Sequence, residues 1–191
     1  MAGNAGFGLA GSLDATGGTE IIGVGPDHVV GVYRNMVLLH WVRNPESTDG
    51  IESLKRAFTR ATRWTDRPIA FVTLIDADVT PRTPSQAFRD ELATVLGTWS
   101  PKIGVSAIVF ERTGLMACVI RSLITSIDLI IKPSYANSVF ADTESAIAWL
   151  QKQVHPSKLT ADDMREAVGA VRAAAGEATL ESGVVRVSRS A

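Results

Sequence analysis

Ile69-Ala70-Phe71-Val72-Thr73-Leu74-Ile75-Asp76 is an apolar run of β-formers that ends on an acid. A run of that length without alternation reads as a strand buried on both faces, the central kind in a sheet covered by helices. Helical patterns flank it at 50–65 and 84–99. The second has a marked start in Thr83-Pro84-Ser85-Gln86: a cap hydroxyl, a proline at the first helical position and a glutamine three residues after the cap. Phe88, Leu92, Val95 and Trp99 then recur at spacing 4, 3, 4, which gives one buried stripe.

Upstream, His28–Tyr33 and Val37–Val42 are two short β-runs. Between them Asn35 is available for a left-handed turn position, so they read as an antiparallel hairpin. Ile21–Val24 offers a further short strand. In the first helix Ile51, Leu54, Phe58 and Ala61 face inward, and Asp49 with Glu52 resembles a capping box. Its Lys55, Arg56, Arg60 and Arg63 read as a solvated face, or more sharply as a phosphate-binding one diluted by Glu52 and Asp66.

Downstream come a strand at Ile103–Phe110 and a short one at Ser138–Ala141. Asp142 is placed to cap a helix that turns Ala146, Ile147, Leu150 and Val154 inward. A last helix over 161–175 carries the thin stripe Met164, Val168 and Val171, with Gly176 as its stop. The alternation from 50 to 154 implies right-handed crossovers. The expected fold is α/β: a mostly parallel sheet with an N-terminal antiparallel hairpin, helices packed on the sheet. Residues 1–20, rich in Gly, read as a flexible tail, 21–154 as the domain, and 155–191 as a loosely attached helix and tail.

Segment 114–131 stands apart. Apolar residues fill most of it, and Arg121, Thr125, Asp128 and Lys132 form a single narrow polar stripe. As a helix it has more apolar surface than one sheet face covers, which makes Leu115, Cys118, Ile124 and Ile131 candidates for an interface, first of all with a second copy. Alternatively Ile127–Ile131 is a buried strand, or the helix over 161–175 folds back onto this surface.

The totals exclude several classes. The 191 residues carry 19 basic and 20 acidic side chains, so there is no basic footprint for nucleic acid. Cys118 is the lone cysteine, which rules out an intrachain disulfide or a cysteine-based metal site and fits a cytoplasmic setting. His28, His40 and His155 lack metal-ligand spacing, and no cofactor is expected. No run reaches the about 20 mostly apolar residues of a membrane span, and the start lacks the pattern of a secretory leader.

Three stretches carry a resemblance. They are the hairpin HVVGVYRNMVLLHW, the central strand ending in Asp76 with its Thr/Ser-bearing loop and helix, and Lys132-Pro133-Ser134-Tyr135 leading into the run from Val139 to Leu150. Together, over roughly 28–154, they resemble the STAS domain (sulphate transporter and anti-sigma-factor antagonist) in its small stand-alone bacterial form. The resemblance implies a non-enzymatic regulatory or signalling domain that binds a protein partner or an apolar ligand, switched by phosphorylation after the central strand. The Asp-Ser-Ser-Gly pattern of that family is missing; Thr80, Thr83 and Ser85 stand near its place. A rival pattern occupies the same strand end. Leu74-Ile75-Asp76-Ala77-Asp78-Val79-Thr80 resembles the first motif of haloacid-dehalogenase-type phosphatases, which implies Asp76 as nucleophile and Asp78 as acid/base near Mg²⁺. Here, however, a hairpin and a helix come before it.

Overall fold

The structure, a computed structural model, describes residues 18–44, 48–64, 66–76, 85–111, 134–153 and 159–181. Its strands are β1 (Glu20–Val24), β2 (His28–Tyr33), β3 (Met36–Trp41), β4 (Ile69–Ile75), β5 (Ile103–Phe110) and β6 (Ala136–Phe140). Its helices are α1 (Asp49–Trp64), α2 (Gln86–Trp99), α3 (Thr143–Gln153) and α4 (Ala161–Glu181). Among the described residues the strands form one sheet in the order of the chain. β1–β2 and β2–β3 are antiparallel, and β3 through β6 are parallel. The fold is thus α/β, as the alternation of elements implies.

Alternation within each strand divides the core in two. Val37, Leu39 and Trp41 of β3 and Ile69 and Phe71 of β4 meet α1 and α2. Met36 and Leu38 of β3 and Ala70, Val72 and Leu74 of β4 meet α3 and α4. Steps in one direction along the sheet with right-handed crossovers put the connecting helices on a single face, and α1 and α2 do share one. The other face is covered by helices that follow the last strand.

Several expectations need correction. Arg34, with φ 53°, takes the left-handed turn position rather than Asn35. Asn35 is buried and tied elsewhere: its Nδ2 donates to the Pro68 carbonyl at 2.8 Å, and its own carbonyl accepts from the Ala70 N–H at 2.9 Å. Those two bonds hold the hairpin to the start of β4. Asp49 is the first residue of α1, not its cap; the Thr48 carbonyl accepts from the Ile51 and Glu52 N–H groups, and Glu52 pairs with Lys55. α2 starts at Gln86, and its cap is Ser85. Its buried residues are Phe88, Val95 and Leu96, so the stripe is rotated and Leu92 and Trp99 are only partly covered. Ile108 is partly exposed beside Phe110, Ile75 and Val139. β6 begins two residues before the expected Ser138.

The largest correction concerns the last helix. It continues through Gly176 to Glu181, and it is docked rather than loose. Met164, Ala167, Val168, Val171 and Ala175 are buried against the sheet. A single glycine costs a helix about 1 kcal/mol and does not by itself stop one. Leu115, Cys118, Ile124 and Ile131, with the rest of segment 114–131, lie outside the described residues, as do Asp78, Thr80 and Thr83.

Candidate functional site

In open α/β sheets ligands gather at the carboxyl ends of the parallel strands. Here that rim carries an acid after each of three runs: Asp76 after β4, Glu111 after β5 and Asp142 after β6. Asp76 and Glu111 each stand one residue past the paired Ile75 and Phe110, so neighbouring strands deliver both carboxylates.

Asp76 is engaged by β3. Its N–H donates to the Trp41 carbonyl at 3.0 Å, and its Oδ1 lies 2.8 Å from His40 Nε2. The His40 side chain is 5% exposed and that of Asp76 26%. A carboxylate facing Nε2 accepts a hydrogen bond from that nitrogen when it carries the proton, and the other ring nitrogen is Nδ1. That Nδ1 is buried without a hydrogen-bond partner. The pair therefore couples a carboxylate to a histidine whose other ring nitrogen is buried without a partner.

Glu111 is engaged from the helices. Arg172 Nη2 of α4 donates to its Oε1 at 2.5 Å, and the Thr143 hydroxyl at the start of α3 donates to the same oxygen at 3.1 Å. Arg172 Nη2 also lies 2.9 Å from the Thr143 hydroxyl. Asp142 caps α3, accepting from the Ser145 N–H at 2.7 Å and its hydroxyl at 2.8 Å. Chiefly the Ser145 N–H, and then its hydroxyl, hold the Asp142 carboxyl below its ordinary range. The rim acids are thus a histidine pair, an arginine anchor and a helix cap. Among the described residues no group of three or more His, Cys, Asp or Glu side chains is placed to hold a metal.

On the opposite face a second buried pair joins Asp27 Oδ1 to His28 Nδ1 at 2.6 Å. His28 stands edge-on to Trp41, and Trp41 in turn to Phe88, with ring centroids 5.9 and 5.7 Å apart. A Cβ at Gly25 would meet His28 Cε1 at 2.3 Å, so glycine is required for the imidazole to pack there. His28 and His40 are both buried, and each is bonded to an aspartate. Three of the basic residues of α1 are likewise engaged: Lys55 with Glu52 and Glu91, Arg60 with Glu20, and Arg56 with Ser53.

Of the expected switch positions Ser85 is described. It is exposed, and its hydroxyl accepts from the Phe88 N–H at 3.2 Å as the cap of α2. Arg89, one turn on, donates from Nη2 to Gln86 Oε1 at 2.6 Å. The parts of the rim that sequence reasoning missed are Glu111, Thr143 and Arg172. The available signal was the recurrence of an acid just after each β-run. Among the described residues no helix is long and apolar enough to cross a membrane. Comparison of the chain with protein-family models, with curated proteins and with solved structures yields no match.

Proposed function

We propose that this is a non-enzymatic regulatory or signalling domain of the STAS kind, working in the cytoplasm by binding a protein partner or an apolar ligand. One observation carries the reading: the exposed Ser85 hydroxyl at the N-terminus of α2, the helix that follows the central strand. A phosphate there would meet the unpaired N–H groups and positive dipole end of α2, with the Arg89 side chain one turn away. Thr80 and Thr83 are the other two candidates for the same modification. Phosphopeptide mapping of the protein from its native cells tests this. Phosphate on one of the three supports a switch. All three unmodified under every growth condition removes it. The partner we favour is a second copy, meeting the first through Leu115, Cys118, Ile124 and Ile131. Light scattering should then give a dimer that Ile124→Glu converts to a monomer; an intact chain that is already monomeric excludes self-association.

A second reading, a Mg²⁺-dependent phosphohydrolase using Asp76 and Asp78, is favoured by the place of Asp76 at the carboxyl end of the central parallel strand. The His40 contact weighs against it, because a nucleophilic carboxylate must be free to attack. Phosphatase assays with and without Mg²⁺ separate the two. Turnover that disappears in Asp76→Asn would overturn the binding reading.

A further inference from the structure

α4 is held differently from α1. Among its described side chains, 161–178, it buries one long one, Met164, with Val168, Val171, Ala167 and Ala175. α1, with 16 residues, buries Ile51, Leu54 and Phe58 with Ala57 and Ala61. α4 relies instead on close fit. It lies against β2 at Gly31, where an added Cβ would come within 2.8 Å of Val171 Cγ2.

Several of its side-chain tethers to the rest of the fold end on a carboxylate. Near its start Tyr33 Oη donates to Asp163 Oδ1 at 2.6 Å, and Arg34 lies 3.6 Å from Asp163 Oδ2. Arg165 pairs with Glu144 of α3 at 2.7 Å, and Arg172 reaches Glu111. A second observation is independent of these. Gly169 and Gly176 sit inside the helix, and a Cβ at either would meet nothing within 4 Å. Packing does not ask for glycine at those places, yet both lower the helix propensity below that of alanine. An isolated helix so weakened does not hold in water, so its folding depends on its docking.

We propose that α4 is a releasable cover: it leaves the sheet and unfolds as one unit while the rest of the fold stays intact, and so bares Val29, Gly31, Tyr33, Met36 and Leu38. Regions with few large buried side chains open at lower free energy than the core. The proposal does not rest on the regulatory reading. Acid favours release. The Tyr33 hydrogen bond holds the Asp163 carboxyl below its ordinary range, and Arg165 does the same for Glu144. A carboxyl depressed in the folded state stabilises docking at neutral pH, and that contribution is lost as pH falls through the folded values. The other charged or titratable groups around α4 include Tyr33 and Arg34 of the hairpin, Arg43 after β3, Glu144 of α3, Glu111 after β5, and the His40–Asp76 pair on the same sheet face. α4 itself adds Asp162, Arg165, Glu166, Arg172 and Glu177. Glu20 of β1 turns instead to Arg60 of α1.

Amide hydrogen exchange on the intact chain, read by mass spectrometry, tests the cover. At neutral pH the α4 amides should exchange through an opening that β3 and β4 do not share. Gly169→Ala with Gly176→Ala should slow α4 alone by roughly ten- to thirty-fold. Asp163→Asn, or Tyr33→Phe should that variant fail to fold, should speed it. Protection factors in α4 should fall ahead of those in β4 as pH drops into the carboxylate range. Equal protection in α4 and β4, changed equally by the alanine pair and by acid, would overturn the proposal, because the helix would then open only when the whole domain unfolds.

Discussion

Gly31→Ala probes the contact on which α4 rests. The new Cβ would come within 2.8 Å of Val171 Cγ2 and 3.3 Å of Thr19 Cγ2. Overpacking of a close-fitted site costs about 1–3 kcal/mol. Restricting the unfolded chain by replacing glycine returns about 0.4–1 kcal/mol, so we expect a net loss of about 0.5–2 kcal/mol. Val171→Ala alone removes two buried methyl groups at about 0.8 kcal/mol each. One of these is the atom that the new Cβ would strike. In the double variant the added methyl enters the space that was opened, so the two losses should not sum. A cycle of wild type, both single variants and the double variant, melted in urea and followed by tryptophan fluorescence, should give a favourable coupling of about 1–2 kcal/mol. A drop in the urea slope of Gly31→Ala would mean that the native state already has α4 off the sheet, since the slope reports the surface exposed on unfolding. Additivity within about 0.5 kcal/mol, with unchanged slopes, would refute the contact.

Leu54 is fully buried and Leu92 only partly covered; Leu54→Ala should cost about 2–5 kcal/mol and Leu92→Ala less than half of that in the same urea melts. The reverse order would mean that α2 packs through the Leu92 stripe after all. Gly25→Ala should cost about 1–3 kcal/mol, because its Cβ would strike the His28 ring at 2.3 Å; an unchanged melting temperature would show that the imidazole can move aside. Asp142, Glu144 and Asp163 all have carboxyls held below their ordinary range, by the Ser145 N–H, by Arg165 and by the Tyr33 hydroxyl respectively. Each contributes stability that is present at neutral pH and lost as pH falls through its folded value. Melts at neutral and acid pH should therefore show a loss toward acid that shrinks in Asp163→Asn.

The fold was legible where one pattern dominates. The run from Ile69 to Ile75 has no polar interruption except Thr73, and it is one of the two inner strands of the parallel set. The hairpin was visible from two β-runs three residues apart. The sequence was silent wherever a tertiary bond chooses among local options. Asn35 has the better left-handed propensity, but its bonds to Pro68 and Ala70 commit it and leave that conformation to Arg34. Ser85 and Thr83 are equally good caps on paper. Gly176 looked like a stop because local rules weigh a glycine near the end of a periodic stretch as a cap, whereas burial of Val171 and Ala175 carries the helix past it. At the rim the sequence offers single acids. That Asp76 would meet a histidine and Glu111 an arginine depends on strand register and on where α4 lands, and neither is written in local pattern.

Winding in one direction has a consequence for how this domain is closed. Among the described residues α1 and α2 both lie on one face, and neither covers Met36, Leu38, Val72 and Leu74 on the other. Among the described residues that face is covered by α3 and α4, which come after β6. Its closure is therefore a contact between the hairpin near the start of the chain and a helix near residue 170, joined by bonds such as Tyr33 to Asp163, 130 positions apart. Contacts of such separation carry the largest loop-closure entropy and form late in folding. The same separation makes them the first that can be undone without disturbing the strands, because no crossover runs through α4. A sheet wound alternately on both faces would bind each helix between two strands. Among the described residues α4 connects no two strands, and it lies over the antiparallel half of the sheet.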